Sequence, residues 1–221
     1  MMNKLMLTFL GVEFLFLCSG GLLLGFCLVS EQQERGVKTV SNVAYDILLF
    51  QCPLTAGVVN AILMFLTFLL SLPALALPMN RGWLKLQGWL LVICSFFTLI
   101  LGLFIWFDTL QTRKNLNVIW GQQDSNIQSL LQEKFNCCGY LDSMTPPFIV
   151  DSVCPDSFSA SQKMGCVGPF SQFANTYLDL IFTAAFGIVG LDVLLLLCVV
   201  MVLKFRGELQ RYRHIDEKNG F

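Results

Sequence analysis

Apolar residues along this chain gather into four long runs, Leu5 to Val29, Leu54 to Leu77, Leu84 to Phe107 and Tyr177 to Leu203, parted by stretches richer in polar residues. Each run exceeds the roughly 20 residues that cross a hydrocarbon core about 30 Å thick, and none alternates as a half-buried strand would. The pattern predicts transmembrane helices at 5–29, 54–77, 84–107 and 177–203. The first run is too long for the apolar core of a signal peptide and lacks a small-residue cleavage site, so it reads as a retained anchor.

Composition agrees with that reading. Hydrophobic residues make up 55% of the 221 and charged residues 13%, half the charged share of a typical soluble domain. A net charge of -1, with no large basic patch, excludes nucleic acid as a partner, since that binding neutralises many phosphates with clustered Lys and Arg.

Lys and Arg near span ends set the expected orientation. Lys4 precedes the first span, Arg81 and Lys85 crowd the link between the second and third, and Lys204, Arg206, Arg211, Arg213 and Lys218 fill the tail. Residues 1–4, 78–83 and 204–221 are therefore expected in the cytoplasm, with both termini there, in a plasma membrane or endomembrane. Residues 30–53 become a small extracellular loop and 108–176 a large one.

The large loop changes character halfway. Leu116, Ile119, Trp120, Ile127, Leu130, Leu131 and Phe135 recur by threes and fours, which predicts an amphipathic helical stalk over 108–136, interrupted near Gly121 and continuing the third span outward. Beyond it, Pro146, Pro147, Pro155 and Gly168-Pro169 punctuate a loop-rich region carrying Phe148, Ile149, Val150 and Phe158. The expected fold is an all-α membrane protein: a four-transmembrane-helix bundle with a disulfide-stapled, mostly helical large extracellular loop.

Four of the nine cysteines, Cys137, Cys138, Cys154 and Cys166, fall in that loop, where an oxidising environment makes disulfides the default. Adjacent residues point their side chains apart, so a bridge between Cys137 and Cys138 is disfavoured. Two connectivities remain: Cys137 with Cys166 and Cys138 with Cys154, or Cys137 with Cys154 and Cys138 with Cys166. Closing a loop of about 16 residues is worth roughly 3 kcal/mol in the chain-entropy view, which matters for a lobe too small for much core. Gly139 would let the chain turn sharply after the pair. A zinc site wants cysteines two to four residues apart, and an adjacent pair without a nearby histidine fits poorly, so no metal is expected.

Four spans, a small first and a large second outer loop, and the run IQSLLQEKFNCCGY leading to Cys154 and Cys166 resemble a tetraspanin over the whole chain. The resemblance implies the nested pairing, Cys137 with Cys166 and Cys138 with Cys154. It also implies a constant stalk before CCG, a partner-binding head over 137–166, and a non-enzymatic scaffold for other membrane proteins, tetraspanins included. VEFLFLCSGGLLLG, Val12 to Gly25, is similar to the family's first span. Its Gly21 and Gly25 form a G-x-x-x-G that would admit a close helix, with Ala56, Gly57 and Ala61 as the facing surface. Three features depart from the family: the link PMNRGWLK lacks its cysteine pattern, the cysteine before Pro155 lacks a preceding proline, and Leu99 to Leu101 replace an acidic residue of the third span. The short chain, four-cysteine loop and minimal link look most like fungal tetraspanins. That group is tied to polarised growth and to host penetration by appressoria, and it is linked to NADPH oxidases, which implies an NADPH oxidase complex among the partners.

Glu13 and Asp192 fall inside spans, roughly 12 Å and 17 Å from the cytoplasmic ends at 1.5 Å per residue. An acidic group there costs at least about 2.5 kcal/mol unless it faces inward, pairs or neutralises. Three roles are open: interhelix hydrogen bonding, a proton or cation relay for which only Asn60 and Gln87 offer further polar groups, and a sterol site. The last follows from the resemblance, which maps both residues onto positions flanking an intramembrane cavity able to hold a sterol.

Smaller signals complete the reading. Tyr212 and Ile215 match an endocytic tyrosine signal, and the tail's basic residues suit contact with anionic membrane lipids. Cys27 and Cys52 both approach the outer boundary and are candidates for a third disulfide. The resemblance places acylated cysteines next to the cytoplasmic face, and with Cys198 alone near the inner boundary acylation is not expected here. No N-x-S/T sequon exists. Among rival functions, a thiol oxidoreductase would want a C-x-x-C pair. A channel or transporter would want broken helices or repeated polar faces, and a claudin-like junction protein has its large loop first. With a single histidine, His214, no catalytic residues are assigned.

Overall fold

A computed structural model describes residues 2–76 and 81–220. Leu77, at the end of the second predicted span, and residues 78–80 of the predicted link lie outside the described residues, as do Met1 and Phe221. The chain is helical: α1 (Met2–Glu34), α2 (Val43–Gln51), α3 (Leu54–Ala76), α4 (Gly82–Leu110), α5 (Thr112–Gln122), α6 (Ser125–Phe135), α7 (Ser157–Ser161) and α8 (Val167–Asn219). Four of these, α1, α3, α4 and α8, are long and apolar enough to cross a membrane, and two disulfides lie in the helical region between the third and fourth spans. The protein is thus a multi-pass, all-α membrane protein. Its residues divide into two compact units, one of 1–28, 55–101 and 184–221, the other of 29–54 and 102–183.

The first unit is a bundle of α1, α3, α4 and α8 segments. Phe9, Val12, Phe16, Met64, Leu84, Leu91, Cys94, Leu195, Val199 and Val202 share one buried cluster, while Leu7, Phe14, Leu22, Trp89, Phe96 and Leu197 remain exposed. Lipid tails are as apolar as leucine, so burial alone gives these helices little reason to associate; close packing and interhelical hydrogen bonds decide the interface. Close packing enters at Gly57, where a Cβ would lie 2.6 Å from the Cys27 sulfur, and at Gly20, where a Cβ would sit 3.4 Å from Met64 Cβ. Gly21 and Gly25 are not the packing glycines: a Cβ on either would meet nothing within 4 Å. The buried stripe of α1 runs through Phe9, Val12, Phe16, Gly20 and Cys27, and one residue further round, about 100° on a 3.6-residue turn, faces away. Cys27 is an unbridged, buried thiol, so the candidate third disulfide is not formed.

The second unit holds a helix the apolar pattern did not announce. Residues 30–53, read as a loop, contain the last turn of α1 and all of α2. Asn42 organises the start of α2: its Oδ1 accepts from Thr39 N at 2.6 Å and its Nδ2 donates to Val37 O at 3.1 Å. Cys52 ends it, held extended at ψ 138° by the proline that follows. Val43, Ala44, Ile47 and Leu48 from α2 then pack with Leu116, Ile119 and Trp120 of α5, Ile127 and Leu131 of α6, and Phe170 and Ala174 of α8. The expected interruption of the stalk falls at Gln123 and Asp124, just past Gly121, with Gln128 Nε2 closing the break onto Trp120 O at 2.9 Å.

Candidate functional site

The segment from Asn136 to Cys166 is built on a left-handed residue. α6 ends at Asn136, φ 50° and ψ 50°, a conformation asparagine tolerates better than other side-chain-bearing residues. The next two residues bridge to separate places: Cys137 to Cys166, with 5.0 Å between Cα atoms, and Cys138 to Cys154, with 5.9 Å. Of the two connectivities that adjacency leaves open, this is the nested one. Each bridge also serves its own apolar cluster. Cys137 and Cys166 join the core of α2, α5, α6 and α8, whereas Cys138 and Cys154 form a small cluster with Ala160, packed by Phe148 and Val153. By loop length the bridges are worth about 3 to 4 kcal/mol each, less than additively because one loop encloses the other.

Gly139 takes φ 70°, and a Cβ there would lie 2.1 Å from Asp142 O; Gly165 is equally constrained by Leu141 O at 2.1 Å. The close approach lets the two ends of the segment bond by their backbones. Cys138 N donates to Met164 O at 3.1 Å, Cys166 N to Gly139 O at 3.0 Å and Val167 N to Tyr140 O at 2.9 Å.

Gln132, in the last turns of α6, is the residue the sequence did not single out. It is fully buried and its carboxamide is saturated. Oε1 accepts from Gly139 N at 3.2 Å and Ile149 N at 3.1 Å, while Nε2 donates to Ile149 O at 2.8 Å and Asp151 Oδ2 at 2.6 Å. Asp151 passes the order on, its Oδ1 accepting from Val153 N and Cys154 N at 2.9 and 2.7 Å. Asp156 caps α7 by accepting from Ser159 N at 2.6 Å, a bond that holds its carboxyl below the ordinary 3.8. Outside this scaffold the segment exposes Met144, Val150, Phe158 and Met164, each more than two-thirds accessible. Large apolar groups exposed together in this way are uncommon on a water-facing surface.

Next to this lobe, Lys134 Nζ donates to Ser41 O at 2.5 Å and lies 4.8 and 5.1 Å from the ring centres of Tyr45 and Phe173. Desolvation holds its ammonium below the ordinary 10.5, opposed by the charge of Asp46. Those two rings continue into an aromatic cluster in which Tyr45, Phe135, Phe170, Phe173 and Tyr177 meet edge-on or tilted, so the segment between the first two spans is tied to α6 and α8 by aromatic and cation contacts.

In the bundle, Glu13 and Asp192 are both buried, at 2% and 1% exposure, but in different company. Both Glu13 oxygens accept from Gln87 Nε2 at 3.1 Å, and Ser71 is a further polar neighbour. Neither oxygen of Asp192 has a hydrogen-bond partner among the described residues. The remaining polar groups form local links: Asn60 Nδ2 donates to Thr98 Oγ1 at 2.8 Å, Thr67 Oγ1 lies 3.6 Å from the Cys94 sulfur, and Arg206 donates to Ala74 O at 2.8 Å. Gln87 therefore serves as the carboxylate's partner, and Asn60 bonds elsewhere. Tyr212 and Ile215 are exposed on the helical tail, three residues apart on one face of α8. Comparison with protein-family models, with curated proteins and with solved structures finds no match to this chain.

Proposed function

We propose that this protein is a non-enzymatic membrane organiser of the tetraspanin kind, gathering other membrane proteins through an extracellular head formed by residues 137–166. The observation that carries the reading is the nested pair of disulfides rooted in adjacent cysteines at a helix end, which holds exposed Val150, Phe158 and Met164 on a lobe stiffened by Gln132. A lobe ordered before binding loses little entropy on docking, which suits lateral recognition of partners. The test is proximity labelling from the head in cells, comparing wild type with Val150→Ser/Phe158→Ser. The labelled membrane proteins should change in the variant while the disulfides stay intact; an unchanged set refutes the head as the recognition surface.

A sterol in the bundle is the second part of the proposal. Asp192 supports it, because a buried carboxyl lacking a partner is what a ligand hydroxyl would satisfy. Glu13→Ala/Asp192→Asn should weaken labelling by a photoreactive sterol, and equal labelling sinks the assignment.

A further inference from the structure

The second unit contains a cleft of about 240 Å³ between the end of α1, the α2 helix and the end of α5. Its wall is unusually polar for this chain: Glu34, Lys38, Asp46 and Gln122 line it, with Ile119 on the apolar side. Glu34 and Asp46 against Lys38 leave a net charge of -1, suited to one cation. Asp46 is 2% exposed. Its Oδ1 accepts from Gln33 Nε2 at 3.1 Å, which fixes the carboxylate plane, and its Oδ2 has no hydrogen-bond partner among the described residues. Lys134, half-buried nearby, does not meet that need, since it donates to Ser41 O and lies over Tyr45 and Phe173. A buried carboxylate oxygen without a donor forfeits its hydration with nothing in return, a cost that a bound donor removes.

We propose that this cleft binds a primary ammonium group, with Asp46 Oδ2 as the main acceptor, Glu34 and the Gln122 amide oxygen taking the other two protons, and Ile119 facing the ligand's alkyl stem. An ammonium offers three donors and no acceptor, matching a wall that offers acceptors at three side chains. Two carboxylates with a lysine beside them are a poor cage for a divalent metal, which wants more oxygen ligands and more negative charge. The ammonium belongs either to a free alkylamine or to an aminophospholipid headgroup.

The full chain, disulfides intact, in phosphatidylcholine nanodiscs is titrated with n-butylammonium, and with n-butanol as the uncharged counterpart, by saturation-transfer NMR. Butylammonium should bind and butanol should not. Asp46→Asn should weaken binding about ten-fold or more, as expected for a hydrogen bond to a charged group, and Glu34→Gln about three-fold. Equal signals from the two probes, or wild-type affinity in Asp46→Asn, overturn the proposal. If Asp46→Asn loses its disulfides, Glu34→Gln decides, and unchanged affinity there overturns it. Adding phosphatidylethanolamine to the nanodiscs identifies the source: competition with butylammonium assigns a lipid headgroup, and no competition assigns a free amine.

Discussion

Replacing Gln132 by Leu tests the reading of residues 137–166 as a lobe set by one side chain. The substitution keeps approximate volume and helix propensity but removes four hydrogen bonds, two accepted from Gly139 N and Ile149 N and two donated to Ile149 O and Asp151. Each neutral bond is worth a net 0.5 to 1.5 kcal/mol or so, and each buried amide left without an acceptor costs about 1 to 3 kcal/mol. With two amides orphaned and some water entry, local opening should become easier by about 2 to 5 kcal/mol, or roughly thirty- to several thousand-fold. The disulfides limit how far the lobe opens, so the change is local and the bundle should not melt. Amide hydrogen exchange of the full chain in nanodiscs, followed by mass spectrometry, reads this directly over 139–154. Gln128→Ala is the control, since its amide bonds Trp120 O and Gln123 O, outside the 139–154 segment. Exchange over 139–154 within three-fold of wild type in Gln132→Leu would refute the reasoning. Gln132→Glu sharpens the test: it sets a second carboxylate where Nε2 meets Asp151 at 2.6 Å, so its extra exchange should shrink as pH falls and one carboxyl takes a proton.

Other outcomes follow from the same geometry. Gly57→Ala, whose Cβ would meet the Cys27 sulfur at 2.6 Å, should lower bundle stability by about 1 to 3 kcal/mol, and Cys27→Ala should restore most of it in a thermal melt of the double variant. Asp192→Leu should leave stability equal or raised, since it removes a carboxyl without a hydrogen-bond partner among the described residues, while Glu13→Leu should lower it by orphaning Gln87; the opposite ranking in unfolding assays would contradict the hydrogen-bond assignment. Burial pushes the Asp46 carboxyl above its ordinary 3.8, with the Gln33 bond and Lys38 pulling down, Glu34 pushing up and Lys134 pulling down. The folded state therefore holds the proton more tightly. Its contribution to stability is complete below about pH 3.8 and is lost as pH rises through the raised value. Exchange protection of α2 should fall across that window, and Asp46→Asn should abolish the slope.

Which parts of this were legible in the residues follows from range. The spans were, because twenty or more apolar residues in a row have few other uses. α2 was not: nine residues carry little periodic signal, and its start is made by an asparagine that bonds backward to Thr39 and Val37. In α1, Gly20 packs against Met64 while Gly21 and Gly25 face away, because a run apolar on all sides does not reveal which stripe faces inward; that is decided by α3. Adjacency of Cys137 and Cys138 left two pairings, and the structure forms the nested one. Gln132 looked like one polar residue in an amphipathic helix, since its partners at 149 and 151 lie 17 and 19 residues away along the chain. Asp46 stayed hidden for the same reason: in a loop an aspartate is unremarked, and only the helix around it makes an unpaired oxygen.

The short distance between Cys137 and Cys166, with the backbone bonds from 138–140 to 164–167, has a consequence for how this chain can change over time. Entry and exit of the lobe are sealed side by side, and beyond that gate α6 reaches the lobe through Gln132, which bonds Ile149 and Asp151. Lengthening such a closed loop costs only about 0.6 kcal/mol per doubling. Insertions within 155–163, with Ile149, Asp151 and Cys154 kept, should therefore leave the spans folded, so the exposed face of the lobe can change length and composition while the bundle stays as it is.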